Sequence, residues 1–263
     1  MLTKYIRTYI TLLKYSLQIE FEYKTNFALD SLSSVFRVLS FWIFIEIIYL
    51  NVDSILGWNK YEMILIYGFF RLLWSIFECS IFFNMKEFSD KILNGSIDFV
   101  LLKPINTIFM VTFYKFKFFR LVKALTGLIL IVYSLQKITV YINFLNIVIL
   151  IYCAVLLFII FHSILLSYLS LTFWFGRISH GNWIIAELGN IAKLPINAYQ
   201  NVMKIIFVFL VPYTLFSSIP AAIILSRINM NYLLYETFIA VLWVIFANWF
   251  WNFSLQRYQS EGG

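Results

Sequence analysis

The sequence predicts an all-α, polytopic membrane protein of six transmembrane helices, built as one domain over residues 1–263. Three observations predict it. Apolar residues make up 62% of the chain and charged ones 13%, against roughly 45–50% and about 25% in a soluble domain. They gather in repeated windows of about 20, long enough to cross a hydrocarbon core of roughly 30 Å. Lys and Arg, which give a net charge of +7, sit between these windows rather than along one solvated face. That is the distribution of orientation signals and not of a nucleic-acid surface. The implied partner is a lipid bilayer, and nucleic acid is excluded.

Residues 1–25 read as an amphipathic helix lying in the membrane interface. Ile6, Ile10, Leu13 and Leu17 recur at helical spacing, with Lys4, Arg7, Thr11, Lys14 and Gln18 mainly on the other side. A soluble arm is the alternative. A signal peptide is not expected, because Lys4, Arg7, Lys14, Glu20, Glu22 and Lys24 interrupt the segment and no small-residue cleavage site follows. Spans are expected at 27–50, 61–83, 116–135, 144–175, 201–225 and 232–253. Lys115, Lys117, Arg120 and Lys123 crowd the start of the third, where long side chains can snorkel to headgroups. Pro212 and Pro220 interrupt the fifth. Each proline removes a backbone donor, so short half-helices are expected between Val211 and Leu225. With both termini inside, only Lys60, Lys137 and Arg227 fall to the outer loops, which fits an even number of spans and cytoplasmic termini.

The chain carries no energy source of its own. Gly176 and Gly181 have the separation of a phosphate-cradling loop, but Asn182 and Trp183 follow where Lys and a hydroxyl are required. His162 and His180 have no second ligand at metal spacing, and His162 is expected to be a hydrogen-bonded core residue. Cys79 and Cys153 lie in apolar runs, as small hydrophobes do. No catalytic, cofactor-binding or metal-ligating residue is assigned.

The informative residues are charges inside the spans, each costing roughly 2.5–3.5 kcal/mol on insertion scales. Arg37 and Glu46 lie in the first span, Arg71 and Glu78 in the second. Comparable depths on antiparallel helices predict an Arg37–Glu78 pair and a looser Glu46–Arg71 pair. Alternatively, some of the four line a substrate path or a subunit interface. Residues 84–104 form the best partner-docking element. Met85, Phe88 and Ile92 make an apolar stripe, with Lys86, Glu87, Asp90 and Lys91 around it, and Gly95 is a natural helix stop. Such a helix can bury its stripe in a groove of another protein; an interfacial loop is the plainer reading.

Four stretches resemble the membrane subunits of type-2 ABC transporters, the group described as ABC-2 family transporter protein. Glu22-Tyr23-Lys24-Thr25-Asn26-Phe27 looks like the pattern before its first span, and Gly57-Trp58-Asn59 like its first outer turn. The run from Gly95 through Asp98, Lys103 and Pro104 to Asn106 is similar to its cytoplasmic G-x-[IL]-D-x-x-L-L-[KR]-P-x-N element. Arg257-Tyr258-Gln259-Ser260-Glu261-Gly262-Gly263 matches its R-Y-x-S-x-G-G ending. Pro212 and Pro220 also sit where that group has its outer proline segment. The resemblance implies the type-2 ABC exporter fold: an interface helix, six spans, a cytoplasmic coupling helix over residues 84–104 and re-entrant outer half-helices. It implies a bacterial plasma-membrane permease, paired with a second one, identical or paralogous. ATP and Mg would bind two copies of a separate soluble ATPase subunit.

The function read from this is export of an amphipathic or hydrophobic compound (a drug, antimicrobial peptide or lipid-like molecule), the 29 Phe, 17 Tyr and 8 Trp supplying apolar surface. Lipid-facing aromatics account for most of these. Competing readings are an ion-coupled secondary transporter, which would need midplane titratable groups and often repeats, a membrane-embedded enzyme, which would need a clustered catalytic set, and a non-transporting sensor or scaffold subunit.

Overall fold

The long apolar runs without internal proline are helical in the computed structural model, which describes residues 2–22, 24–175, 187–190 and 193–258. In chain order the helices are α1 (Leu2–Glu22), α2 (Lys24–Tyr49), α3 (Lys60–Phe77), α4 (Phe83–Leu93), α5 (Asp98–Leu101), α6 (Thr107–Phe113), α7 (Leu121–Lys137), α8 (Phe144–Phe175), α9 (Asn201–Lys204), α10 (Ser218–Ile224) and α11 (Met230–Arg257). A π-helical turn, Glu78–Phe82, joins α3 to α4 without a break, and a second, Ile205–Leu210, prolongs α9. Among the described residues, five segments are long and apolar enough to cross a membrane: Phe27–Tyr49, Lys60–Leu93, Phe118–Lys137, Phe144–Phe175 and Met230–Arg257. The chain is a multi-pass membrane protein.

Two helix pairs make the frame, α3 with α7 and α8 with α11. The first pair is set by glycine. A Cβ at Gly127 would stand 2.6 Å from the Leu72 nitrogen and 2.8 Å from the Gly68 oxygen, and one at Gly68 would stand 2.9 Å from Ile131 Cγ1. Only hydrogen on both residues lets the backbones approach so closely, the usual device where lipid gives no hydrophobic drive between helices. Helix α10 is buried along its whole length and wedges between α3 and α8.

One end of the frame is tied by polar groups. Asn59 and Glu62 form a capping box at the start of α3, and the same Glu62 pairs with Arg227 at 2.5 Å. Asn146 donates to Ser226 Oγ at 3.3 Å. The opposite end carries α1, α4 and α5.

The segment 201–225, expected as a fifth span with half-helices between Val211 and Leu225, holds those short helices but is not one straight helix. Asn197 Nδ2 donates to the Leu56 carbonyl at 3.0 Å, which places the entry to α9 at the polar-tied end. The chain then descends, and the Leu210 carbonyl accepts from Trp243 Nε1 at 3.0 Å. Phe216 packs on Phe77 and Phe161 with ring centroids 5.6 and 4.7 Å apart. At ~1.5 Å per residue both partners lie roughly 25 Å along their helices from the tied end. Helix α10 then climbs back to Arg227. The segment is therefore a hairpin entering and leaving at one end, with its bend at Val211–Pro212, where the missing proline donor breaks the helix. Ahead of it, Gly189 lies on the Trp74 ring, Lys193 over Phe70 at 5.5 Å, and Asn197 at Leu56, successive positions toward the polar-tied end.

Helix α1 turns Tyr5, Tyr9, Leu12, Ser16 and Glu20 toward its own chain, a face rotated from the expected aliphatic stripe. Lys4 Nζ donates to the Pro104 carbonyl at 2.8 Å, Ser16 Oγ accepts from Phe116 N–H and Glu20 Oε2 from Phe119 N–H, both at 3.0 Å. Burial pushes the Glu20 carboxyl above its usual range, opposed by that Phe119 bond and the Lys117 charge. Ile6 and Ile10 stay exposed.

Candidate functional site

The α4 end holds the expected docking element, but with its faces exchanged. Met85, Phe88 and Ile92 are buried inside the chain, Phe88 edge-on to Tyr114 at 5.4 Å. The expected outward stripe is thus a core stripe, because α6 and α8 cover it. Asn84, which sequence reading passed over, holds this packing in place. Its Nδ2 donates to the Thr112 and Lys115 carbonyls at 2.7 and 2.9 Å, and its Oδ1 accepts from Lys115 N–H at 3.0 Å. A buried amide that satisfies a loop in this way ties two elements rigidly.

What projects is the turn beyond α4. Gly95 adopts φ +68°, a left-handed conformation that ends the helix as expected of a glycine stop. Asp98 opens α5, and beyond it Phe99 is 74% and Leu102 82% exposed, flanked by exposed Lys103 and Pro104. Lys86 and Asp90 are exposed on the outer face of α4, whereas Lys91 lies over the Tyr114 ring at 4.5 Å.

The charges inside the long helices pair differently from expectation. Glu78 meets Arg120 at 2.5 Å, and Glu46 meets Lys60 at 2.7 Å. Arg37 donates to Ser33 Oγ at 3.1 Å, while Arg71 donates to Ser34 Oγ and, at 3.0 Å, to Thr126 Oγ1. Equal depth on α2 and α3 was not enough, because the glycine contact brings α7 against α3. The basic residues before and within α7 then turn inward: Lys115 pairs with Glu87 at 2.8 Å and Lys123 with Asp30 at 3.6 Å. Removing one partner of a mostly buried pair strands the other charge. Arg120→Gln is therefore expected to lower stability by about 1–3 kcal/mol, and Glu78→Gln added to it should restore most of the loss in thermal unfolding of the solubilised chain.

Glu236, in α11, is wholly buried, and none of the ion pairs among the described residues includes it. Glu236→Gln keeps its shape and is expected to insert normally. Glu236→Lys adds a charge with no partner and should abolish recovery from membranes. His162 shares a hydrogen bond of 2.7 Å with Thr112 inside the bundle. Pro212 and Pro220 are both buried, in the hairpin. Arg177, His180 and the last residues of the terminal motif, 259–263, lie outside the described residues.

The arrangement is a bundle with a projecting apolar tip at its basic end. A family model for ABC-2 family transporter proteins matches residues 35–262. No curated protein and no solved structure matches. Since that match runs from within α2 through α11 and takes in the projecting turn and the hairpin, the chain belongs to the ABC-2 family of transporter proteins, the membrane permeases of ABC transporters.

Proposed function

We propose that the chain is the permease subunit of an ABC exporter in the bacterial plasma membrane, moving an amphipathic or hydrophobic compound and working beside a second permease, identical or paralogous. Two copies of a soluble ATPase, holding ATP and Mg, drive it from the cytoplasm. The observation that carries this reading is the tip: two large apolar side chains held outward on a stiffly braced turn, 74% and 82% exposed, in a chain of a permease family. Exposed apolar anchors of this kind are what a partner's groove buries. With the tip cytoplasmic, both termini are cytoplasmic too. The hairpin of residues 201–224 is the re-entrant outer segment.

ATP binding brings the two ATPase subunits together, and the docked turns move with them. Because the tip continues into α4 and α3, its displacement reaches the spans. The conformations shift only as far as the two ATPase states bind the tip differently. Transport in sealed vesicles with the partner ATPase and a panel of cargoes tests the reading. Stoichiometric co-purification of an ATPase is expected; solute movement driven by a proton gradient with no ATPase present would overturn it. Glu236→Gln sharpens the contrast, since a proton-coupled carrier working through that carboxyl would stop and the exporter would not.

A further inference from the structure

Beside the Gly68–Gly127 contact, α2, α3 and α7 together with Asn190 and Lys193 border a cleft of about 120 Å³. That is the volume of roughly four waters at ~30 Å³ each. Its wall brings together Arg37, Arg71, Lys123 and Lys193. By helix rise Arg71 lies ~16 Å from Lys60 and Arg37 ~18 Å from Tyr49, so the cluster sits near the middle of a core roughly 30 Å thick. The acidic complement is small. Glu78 reaches the cleft but is already held by Arg120 at 2.5 Å, Asp30 approaches only Lys123 at 3.6 Å, and Glu187 bonds to Asn190 at 2.7 Å.

The cations are under-satisfied as hydrogen-bond donors as well. Arg71 Nε is buried without a partner among the described residues. Among the described residues, Arg37 bonds only a serine hydroxyl, and Lys193 only the Asn190 side-chain oxygen at 2.6 Å. Like charges gathered where the dielectric is low repel strongly, and ionisable groups at this depth serve a ligand by default. Tyr67, Phe70 and Trp74 line the same cleft, giving a chain-like apolar tail a surface to follow. Guanidinium groups suit an oxyanion because their forked donors match its oxygens.

We infer that this cleft is a binding site for an oxyanion, the phosphate-type headgroup of an anionic amphiphile, held by Arg37, Arg71 and Lys193 with the tail along Trp74. The inference concerns binding alone and stands whether or not the chain exports anything.

The test titrates the full chain, in a non-ionic detergent, with dihexanoyl phosphatidylglycerol, dihexanoyl phosphatidylcholine and inorganic phosphate, reading affinity by calorimetry. Phosphatidylglycerol is expected to saturate and to bind at least about tenfold more tightly than phosphatidylcholine. Arg37→Gln and Lys193→Gln should each weaken it roughly tenfold, the equivalent of one lost charge-assisted bond. Arg37 is exposed, so Arg37→Gln should melt like the wild type without ligand; Lys193 also rests over Phe70, so the melting of Lys193→Gln is measured beside its affinity. Competition by inorganic phosphate would show that a free anion also fills the site; its failure to compete would assign the source to lipid. Equal binding of the two lipids, or unchanged affinity in folded variants, overturns the inference.

Discussion

Aspartate at both Phe99 and Leu102 is expected to abolish ATPase docking while leaving the chain folded in the membrane. Both side chains stand in solvent, 74% and 82% exposed, so their loss removes nothing from the interior. Each, buried in a partner's groove, would contribute about 1.5–3 kcal/mol, and every 1.4 kcal/mol is about tenfold in affinity. Losing both weakens docking by about a hundredfold or more, and the introduced charges add a desolvation cost. The measurement is ATPase recovered with the affinity-purified chain, alongside chain recovered per unit of membrane. Phe88→Asp provides the contrast. Phe88 is fully buried against Tyr114, so that variant should fail in folding. If the tip variant keeps its ATPase, the docking surface lies elsewhere.

Gly127→Leu is expected to prevent assembly of the bundle. Its first added atom would meet the Leu72 nitrogen at 2.6 Å and the Gly68 oxygen at 2.8 Å, which are backbone atoms that cannot rotate away. Overpacking typically costs about 1–3 kcal/mol where side chains can adjust; here two helix axes must separate, so the loss should exceed that range. The same separation would pull Thr126 from Arg71 and Arg120 from Glu78. Gel filtration of the solubilised chain should show aggregate in place of a defined peak. Gly57→Ala meets no atom within 4 Å but must hold φ +83°, so it should cost only a fraction as much. Equal damage from both would mean that the α3–α7 crossing does not set the fold.

Sequence periodicity located four of the long helices to within a few residues because their apolar runs are unbroken. The expected fifth, 201–225, is not one straight helix, for a physical reason. Lys193 and Pro195 lie close together and Lys193 lines a polar cleft, so hydropathy reads that stretch as a loop. The apolar run after Asn201 reads as a span although Pro212 folds it back on itself. Burial direction was likewise beyond a one-dimensional pattern. The Met85–Phe88–Ile92 spacing identifies an apolar face, but only the positions of α6 and α8 decide that it points inward, leaving Phe99 and Leu102 as the outward pair. Ion pairing required knowing that α7 would be α3's neighbour. The signal was present in Gly68 and Gly127, two small residues on different spans, yet nothing in one sequence says which glycines meet.

The π-turn at Glu78–Phe82 has a mechanical consequence. It interrupts a segment that otherwise runs unbroken from Lys60 to Leu93, and the Cys79 carbonyl there accepts from Lys117 N–H at 2.7 Å instead. A helix bends most readily at such a turn. Lateral torque on Phe99 and Leu102 would therefore pivot about Cys79, swinging Glu78 and Arg120 at the base of the cationic cleft, so that rocking at the tip widens or narrows the space between its charged walls.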